Sequence, residues 1–341
     1  MPDDRVSDIG EFELIERLRA AIPESVRTTG QVSTGIGDDA AIWMPTPGLA
    51  SVITTDTLVE GVHFRLDWTG WISLGFKALA VNLSYIAAMG AIPRLATVSL
   101  GLRGTERVAN LVALYQGIGR LAETHGVALV GGDIVHDPDH VTISVTAIGE
   151  VEPERVLRRS GALAGDLICV SGSIGASAAG FEILRDPVPY IGLATTGLLK
   201  AAHERPNPRV ALGRLLGEIG ATAAMDLSDG LLGDLPKILA ASGVAATIDS
   251  RSLPVAPAVK ALFPDLWIDL ALRGGEDYEL LFTIPPGLFP ALAARVEEIG
   301  ATVTAIGTIE ERADDTSGIT LIGPDGNSAP VAPGVSWDHF T

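Results

Sequence analysis

Aspartate stands next to glycine or a hydroxyl residue in four separate stretches of the chain, at Asp38/Asp39, Asp56, Asp133 and Asp226/Asp229. Glycine lets a backbone turn tightly or approach a ligand closely. The run before Asp56 and the run before Asp133 are apolar and read as strands, which would hold the polar residues at their ends rigidly. Adjacent aspartates repel each other unless a cation or hydrogen-bond donors share them. The alternative interpretation of the Asp38/Asp39 stretch is a solvated loop at the start of a strand.

The size and composition of the chain predict two domains built from many short elements. A length of 341 residues suits about two domains. Hydrophobic residues make up 47% but aromatic residues only 5%, so the cores must consist mostly of Ala, Val, Leu and Ile. The 39 glycines and 21 prolines suit frequent turns. Polar residues and Pro153 place the boundary near residue 150, which gives domains at 1–150 and 151–341.

The net charge of −18 argues against nucleic acid or an anionic membrane as a partner. Anionic small substrates remain possible, but such a protein would need metal cations to hold them. No run approaches ~20 apolar residues, so we expect no membrane span. The single cysteine, Cys169, lies in an apolar run and is expected to be a buried structural thiol. One cysteine fits a reducing cytoplasm.

Hydrophobic spacing predicts helices and strands that alternate along much of the chain. The helices are expected at 11–21, 74–89, 108–125, 176–184 and 231–242. The strands are expected at 50–56, 96–102, 127–133, 141–149 and 166–171. The stretch 172–175 joins a strand to a helix through two glycines and is similar to a phosphate-binding loop, but it lacks the Gly-Lys-Ser/Thr signature. Glycines that allow close helix–strand packing are an equally good explanation.

The chemistry of the aspartates favours magnesium. Carboxylate oxygens are hard ligands that suit Mg²⁺ shared with substrate phosphates. The six histidines are not clustered and there is one cysteine, so the sequence does not favour a zinc or iron site. The chain lacks a Gly-x-Ser-x-Gly elbow, a dinucleotide fingerprint and protein-kinase signatures. The residues alone therefore predict a cytosolic, magnesium-dependent enzyme that handles phosphate groups.

Several motifs in order along the chain closely resemble the thiamine-monophosphate kinases. The motifs are Gly35-Ile36-Gly37-Asp38-Asp39, the stretch 54–64, Gly131-Gly132-Asp133, the stretch 159–162, Met225-Asp226-Leu227-Ser228-Asp229-Gly230, Gly274-Gly275-Glu276-Asp277-Tyr278 and Trp337-Asp338-His339-Phe340. That family belongs with aminoimidazole ribonucleotide synthetase and selenophosphate synthetase in one superfamily. The resemblance implies an α+β, two-domain aminoimidazole ribonucleotide synthetase-like fold, with each domain a sheet covered by helices. It also implies a homodimer with active sites at an intersubunit cleft.

The resemblance implies transfer of the ATP γ-phosphoryl group to thiamine monophosphate, with a role for each matched residue. Domain 1–150 would bind ATP and magnesium and form the dimer, and domain 151–341 would complete the nucleotide and substrate site. Several Mg²⁺ ions would be held by Asp39, Thr54, Thr55, Asp56, Asp133, Asp226 and Asp229, of which Asp39, Asp56 and Asp226 are assigned as catalytic. ATP would contact Tyr115, Gly132, Asp133, Arg159 and Ser228. Thiamine monophosphate would contact His63, Glu276 and Trp337. An aromatic face such as that of Trp337 attracts a cationic thiazolium ring.

Two positions depart from the pattern of the family. Relatives usually carry aspartate where this chain has Tyr85, and they tend to carry aspartate where it has Ala176. The first change removes an expected metal ligand. A catalytically weakened, nucleotide-binding homologue is therefore one alternative function, and another synthetase of the same superfamily is a second.

Overall fold

The computed structural model describes residues 4–27, 30–186, 192–312 and 318–331. The chain divides into two compact units. The first contains the described residues up to Ile86 together with Ala91–Pro153, and the second contains Ala87–Gly90 and the described residues from Glu154 onward. The roles assigned above to the two domains stay predictions.

The first unit combines short N-terminal helices with a four-stranded sheet and two long helices. Its helices are α1 Val6–Ile9, α2 Glu11–Ala21, α3 Glu24–Arg27, α4 Trp71–Ala88 and α5 Val108–His125. Its strands are β1 Val32–Thr34, β2 Ile42–Trp43, β3 Ala50–Val59, β4 Ile92–Leu102, β5 Ala128–His136 and β6 Thr142–Val151. The sheet order is β3-β6-β4-β5, while β1 and β2 form a separate hairpin.

Close backbone contact joins the two long helices of the first unit. A Cβ atom at Gly75 of α4 would lie 1.9 Å from the carbonyl oxygen of Leu114 in α5, and one at Gly117 would lie 2.0 Å from that of Ile72. Only glycine permits this approach. Helix α5 buries one apolar face and ends at Gly126, whose φ of 65° closes the helix in the left-handed conformation.

The described part of the second unit is a seven-stranded sheet with helices, and short 3₁₀ turns occur within it and at its boundary with the first unit. Its strands are β7 Leu167–Ser171, β8 Ala223–Asp226, β9 Val244–Asp249, β10 Leu280–Ile284, β11 Val303–Glu311, β12 Ile319–Ile322 and β13 Ser328–Pro330. Its helices are α6 Ala176–Arg185, α7 Leu193–Glu204, α8 Val210–Ile219, α9 Leu231–Ser242, α10 Pro257–Leu262, α11 Trp267–Arg273 and α12 Phe289–Val296. The 3₁₀ turns are Pro153–Arg155, Ser250–Ser252 and Glu297–Ile299. The sheet order is β13-β12-β9-β11-β7-β10-β8.

The structure confirms the expected α+β, two-domain fold. Helices α2, α5 and α9 have the predicted bounds. Strands β3 and β5 are longer than predicted, because they continue past Asp56 and Asp133 to Val59 and His136. Both aspartates therefore lie within strands rather than at strand ends, since the polar residues that follow them still pair with neighbouring strands.

Two smaller expectations concern apolar segments. Cys169 is fully buried in β7, and burial raises the pKa of its thiol to about 12, as expected of a structural cysteine. Helix α4 is long and apolar enough to cross a membrane, which the sequence analysis did not anticipate. Since 78% of that stretch is buried inside the structure, it has the character of a core helix.

Candidate active site

Strand β3 presents its polar residues to both faces of the sheet. Alternation along the strand places Thr54 and Asp56 on one face and Thr55 on the other. The Thr55 hydroxyl donates to the carbonyl oxygen of Val145 at 3.2 Å and accepts from Thr146 Oγ1 at 3.1 Å. On the opposite face, the phenol of Tyr85 donates to Asp56 Oδ2 at 3.0 Å. Tyr85 therefore contacts one of the predicted metal ligands directly.

Asp56 and Asp133 are far apart within the first unit. They lie on β3 and β5, the two edge strands of the four-stranded sheet. Three inter-strand spacings of about 4.8 Å separate such strands by about 14 Å. Residues that pair across neighbouring strands point to the same face. Asp56 pairs with Val145, which pairs in turn with Val98 of β4. Asp133 pairs with Ser99, the residue after Val98, so the two carboxylates point to opposite faces. One unit therefore does not bring both into the shell of a single ion.

The other predicted nucleotide and metal residues of the first unit have varied surroundings. Asp39 is exposed, and its backbone N–H donates to Asp38 Oδ1 at 2.8 Å. A Cβ atom at Gly132 would lie 1.9 Å from the carbonyl oxygen of Val98, so the strand itself requires glycine there. Tyr115 is only 8% exposed on α5, and burial raises the pKa of its phenol.

His63 belongs to a compact turn after β3. Gly61 adopts a φ of 82°, and the backbone N–H of His63 donates to the carbonyl oxygen of Val59 at 2.9 Å. The ring closes the turn, because its Nδ1 accepts from the Val59 N–H at 3.0 Å. That bond assigns the remaining proton of a neutral ring to Nε2. The side chain is part-buried, so its Nε2 side is the part that could meet a substrate.

In the second unit, Asp226 is the last residue of β8, and the loop that follows carries Ser228 and Asp229. Asp226 is only 3% exposed. The carboxylate of Asp234, which is fully buried, accepts from the backbone N–H groups of Ser228 and Asp229 at 2.9 Å each. Lys237 Nζ lies 2.5 Å from Asp229 Oδ2 and 2.8 Å from Asp234 Oδ1. The ammonium of Lys237 in α9 therefore lies between the carboxylates of Asp229 and Asp234.

The charges of this loop depend on each other. Burial raises the pKa of Asp234, and the hydrogen bond from Lys237 opposes that rise. Burial alone would lower the pKa of Lys237, but hydrogen bonds to Asp229 and Asp234 raise it. The side chain of Lys237 is 33% exposed, so it remains accessible to solvent.

The Gly-Gly-Glu-Asp-Tyr segment packs against the loop after β8. The backbone N–H of Glu276 donates to the carbonyl oxygen of Ser228 at 2.8 Å. A Cβ atom at Gly275 would lie 2.5 Å from that same oxygen, which explains the glycine. Glu276 and Tyr278 adopt positive φ angles of 65° and 50°. Non-glycine residues in this region are strained, and such strain is commonly kept at functional sites.

Asp277 occupies the N-terminus of helix α6. Its carboxylate accepts from the backbone N–H of Gly175 at 2.6 Å and from that of Ser177 at 3.0 Å. Although the residue as a whole is part-buried, these groups enclose the carboxylate. Burial raises the pKa of Asp277 to about 7, against the lowering effect of the N–H groups. The helix end is thus filled by the chain's own carboxylate, which favours packing over phosphate binding for the glycines at 172–175.

A part-buried ion pair between Arg209 and Glu279 lies next to the same segment. Arg209 donates to Glu279 Oε2 at 2.6 Å and to Oε1 at 2.5 Å, and the Ser171 hydroxyl donates to Oε2 at 2.5 Å. A Cβ atom at Gly172 would lie 2.1 Å from Glu279 Oε1. Ala176 begins helix α6 and is 9% exposed, so its side chain is part of the helix packing.

Two predicted residues remain outside these clusters. Arg159 is exposed, and its carbonyl oxygen accepts from Ser242 Oγ at 3.3 Å. Trp337 lies outside the described residues, so its contact with substrate stays a prediction. Among the residues that the structure describes, a separate group of three possible metal ligands is formed by Asp137, Asp139 and His140. It is an exposed turn in which Asp137 accepts the backbone N–H groups of the other two.

Sequence reasoning assigned no role to four residues that shape the second unit: Asp234, Lys237, His203 and Asp277. The signal for Asp234 and Lys237 was their spacing of five and eight residues from Asp229 on an adjoining helix. His203 gave no local signal, because its partners are far away in the sequence. Asp277 belongs to the Gly-Gly-Glu-Asp-Tyr motif, but its contact with the N-terminus of α6 could not be seen in the sequence. His203 Nδ1 lies 3.3 Å from Glu276 Oε2.

Comparisons with known proteins place this architecture among AIR synthase related proteins. The family model of the AIR synthase related protein N-terminal domain matches residues 37–151, and that of the C-terminal domain matches residues 164–319.

Individual relatives match over most of their length. A thiamine-monophosphate kinase of Bacillus subtilis is 37% identical over 303 residues, which cover 89% of this chain and 92% of the relative. The crystal structure of thiamine-monophosphate kinase from Stenotrophomonas maltophilia K279a has a TM-score of 0.82 and 40% identity, and covers 94% of this chain and 98% of that chain. A structure of AaThiL complexed with AMPPCP and TMP has a TM-score of 0.75 and 32% identity, and covers 100% of both chains.

Proposed function

The chain belongs to the AIR synthase related family and, within it, to the thiamine-monophosphate kinases, and on that basis we propose that it transfers the γ-phosphoryl group of ATP to thiamine monophosphate. The products are thiamine diphosphate and ADP. The observation that carries the proposal is the full-length similarity to a protein solved with AMPPCP, an ATP analogue, and TMP.

Each of the two units carries donor atoms that suit Mg²⁺. Asp56 and Thr54 offer hard oxygen ligands on one face of β3, and Asp226 and Asp229 offer carboxylates in the second unit. The ammonium of Lys237 lies 2.5 Å from Asp229 Oδ2, so this carboxylate already stabilises a positive charge. When bound, Mg²⁺ would neutralise the phosphate groups and help to orient them for in-line transfer. Because Asp56 and Asp133 lie on opposite faces of one sheet, we propose several Mg²⁺ ions rather than one. Their proposed ligands are Asp39, Thr54, Thr55, Asp56, Asp133, Asp226 and Asp229.

The protein residues have little covalent chemistry to do. The attacking group is a phosphate monoester, whose second pKa of about 6 leaves it largely ionised at pH 7. We therefore assign no general base. The main obstacle is repulsion between two polyanions within a protein of net charge −18. Positioning and charge neutralisation overcome it, with Arg159 and Ser228 contacting the nucleotide together with Tyr115, Gly132 and Asp133, and His63, Glu276 and Trp337 contacting thiamine monophosphate.

The open face of the first unit's sheet suits a second copy of the chain. Residues on that face are small and polar, and include Thr55, Thr57 and Ser99, all exposed. Ile53 is 68% exposed on the same face and Val135 is 52% exposed. A sheet face that exposes large apolar side chains such as Ile53 and Val135 favours contact with a second copy of the chain. Light scattering on Thr57→Arg should then show monomer where the unaltered chain shows dimer.

The cell compartment follows from the chemistry of the proposed reaction and of Cys169. We propose a cytoplasmic enzyme, because ATP is the phosphoryl donor and the one cysteine of the chain, Cys169, is a free, buried thiol.

The contact between Tyr85 and Asp56 favours a second candidate, a weakened enzyme that still binds nucleotide. A neutral phenol offers one weak oxygen where an aspartate would offer two anionic oxygens. Its hydrogen bond to Asp56 Oδ2 also engages one oxygen of a proposed ligand. Turnover against Mg²⁺ concentration, compared between this chain and Tyr85→Asp, separates the candidates. A gain in rate or in apparent Mg²⁺ affinity supports the weakened enzyme, and no gain in either contradicts it.

Chromatography of a reaction with ATP, Mg²⁺ and thiamine monophosphate tests the main proposal. We expect thiamine diphosphate at catalytic turnover. Nucleotide binding without product would support the weakened homologue. The absence of both nucleotide binding and product would refute both candidates.

A further inference from the structure

His203, which has no role in the proposed reaction, lies beside Glu276, a proposed ligand of thiamine monophosphate. His203, near the end of helix α7, has a side chain that is only 9% exposed, while that of Glu276 is 28% exposed. Its Nδ1 lies 3.3 Å from Glu276 Oε2 and 3.1 Å from Ser177 Oγ. The ring also packs against Phe181, with 5.5 Å between ring centroids. Contacts from Ser177 and Phe181 of α6 and from Glu276 therefore fix the position of the imidazole.

The proton on His203 can be assigned from its neighbours. A carboxylate accepts hydrogen bonds but cannot donate them, so Glu276 requires N–H on the facing nitrogen. The Ser177 hydroxyl can accept from the same N–H or donate elsewhere. A protonated Nδ1 is therefore the arrangement in which the contact with Glu276 is attractive.

The backbone leaves Glu276 little freedom to move away. Its φ of 65° is a strained conformation, held by the hydrogen bond from its N–H to the carbonyl oxygen of Ser228. The next residue, Asp277, is anchored to the first turn of α6 through Gly175 and Ser177. Ser177 therefore contributes its backbone to Asp277 and its hydroxyl to His203. Strain of this kind persists where the surrounding structure over-determines it.

We propose that His203 is a positioning residue for Glu276, holding one carboxylate oxygen so that the group is aimed at the cationic part of the substrate. The inference rests on the proposed function, in which Glu276 contacts thiamine monophosphate. A fixed carboxylate loses less conformational entropy on binding than a mobile one, so the contact improves substrate affinity. His203 itself touches neither the substrate nor the transferred phosphoryl group.

Variants at position 203 can separate positioning from packing. In His203→Asn the amide nitrogen replaces Nδ1 as a donor, whereas His203→Leu keeps bulk and removes the donor. Phe181→Leu is the matched control, because it alters the packing around the ring and leaves the Nδ1 donor in place. Glu276→Gln and the double variant with His203→Leu complete a double-mutant cycle.

The expected result is a loss of substrate affinity without a comparable loss for ATP. A hydrogen bond to a charged group of this kind changes an equilibrium about 10-fold. His203→Leu should therefore raise the KM for thiamine monophosphate about 10-fold, with kcat and the KM for ATP within about 2-fold. His203→Asn should restore most of the affinity. The double variant should be little worse than Glu276→Gln alone, because His203 acts through Glu276.

Titration calorimetry of thiamine monophosphate in the presence of AMPPCP gives the same comparison without turnover. Equal effects of His203→Leu and Phe181→Leu, or equal loss of affinity for both substrates, would overturn the positioning role. Additive effects of the two substitutions would do the same. Absence of thiamine diphosphate with the unaltered chain would instead refute the proposed function. If His203→Leu does not fold, His203→Met, which also removes the donor, takes its place in the cycle.

Discussion

The carboxyl group of Asp277 should make stability fall as the pH rises. Its pKa is about 7 in the folded state, because burial disfavours the charged form, and an ordinary value is 3.8. Between these two values the folded state holds a proton that the unfolded state has lost. The contribution of this group to the free energy of unfolding is therefore fully present below pH 3.8. It decreases as the pH rises from 3.8 through 7.

The size of the effect follows from the difference between the two pKa values. Each pH unit within the window changes the free energy of unfolding by at most about 1.4 kcal/mol. A window of about three units sets a ceiling of about 4 kcal/mol. The substitution Asp277→Asn resembles the protonated carboxyl group in shape but does not titrate. It should gain stability relative to the unaltered chain as the pH rises from 4 to 7, and the difference should be constant above about pH 8.

Urea unfolding at half-unit pH steps measures this difference, and the exposed Asp265→Asn provides the surface control. The control should follow the unaltered chain at every pH. If the unaltered chain instead gained stability over Asp277→Asn as the pH rose, the N–H groups of α6 would dominate over burial. The argument that burial raises the pKa of Asp277 would then be wrong.

Three further substitutions test other parts of the account. Asp56→Asn should leave the melting temperature nearly unchanged and reduce kcat by roughly 10²–10³, as for the loss of one electrostatic contact to a transferring group; near-normal turnover at saturating Mg²⁺ would remove Asp56 from the catalytic site. Gly75→Ala should lower the free energy of unfolding by about 1–3 kcal/mol, because the added Cβ would lie 1.9 Å from the Leu114 carbonyl oxygen, whereas Gly30→Ala meets no atom within 4 Å and should be nearly neutral in denaturant melts. Lys237→Met should cost about 3 kcal/mol by leaving the buried carboxylate of Asp234 without its cation, and an unchanged unfolding midpoint would contradict that role.

Local patterns were sufficient to predict much of the fold. Helix α5 was predicted at Val108–His125 because its apolar residues repeat at helical spacing. Helix α2 was predicted in the same way. The ends of β3 and β5 were missed, since polar residues such as Asp56 and Asp133 still form ladder hydrogen bonds when a neighbouring strand is available. Pairing partners, not the residues themselves, determine where those strands end.

The arrangement of the candidate site depended on information that local patterns do not contain. Asp56 and Asp133 look equivalent in the sequence, but the register places them on opposite faces of the sheet. Asp277 caps a helix that begins about 100 residues earlier in the chain, as the hydrogen bond to Ser177 N shows. The contact of Tyr85 with Asp56 required knowledge of how α4 packs on β3. Register and long-range packing therefore supplied what spacing could not.

The reaction proposed for this chain is direct transfer of a phosphoryl group from ATP to thiamine monophosphate. The most direct test supplies ATP labelled with ³²P at the γ position, together with Mg²⁺ and thiamine monophosphate, and separates the products by chromatography. The account predicts that the label appears in thiamine diphosphate in a one-to-one ratio with ADP, and that EDTA abolishes the transfer. Label that appears only as inorganic phosphate, or that stays in ATP while nucleotide is bound, would contradict it.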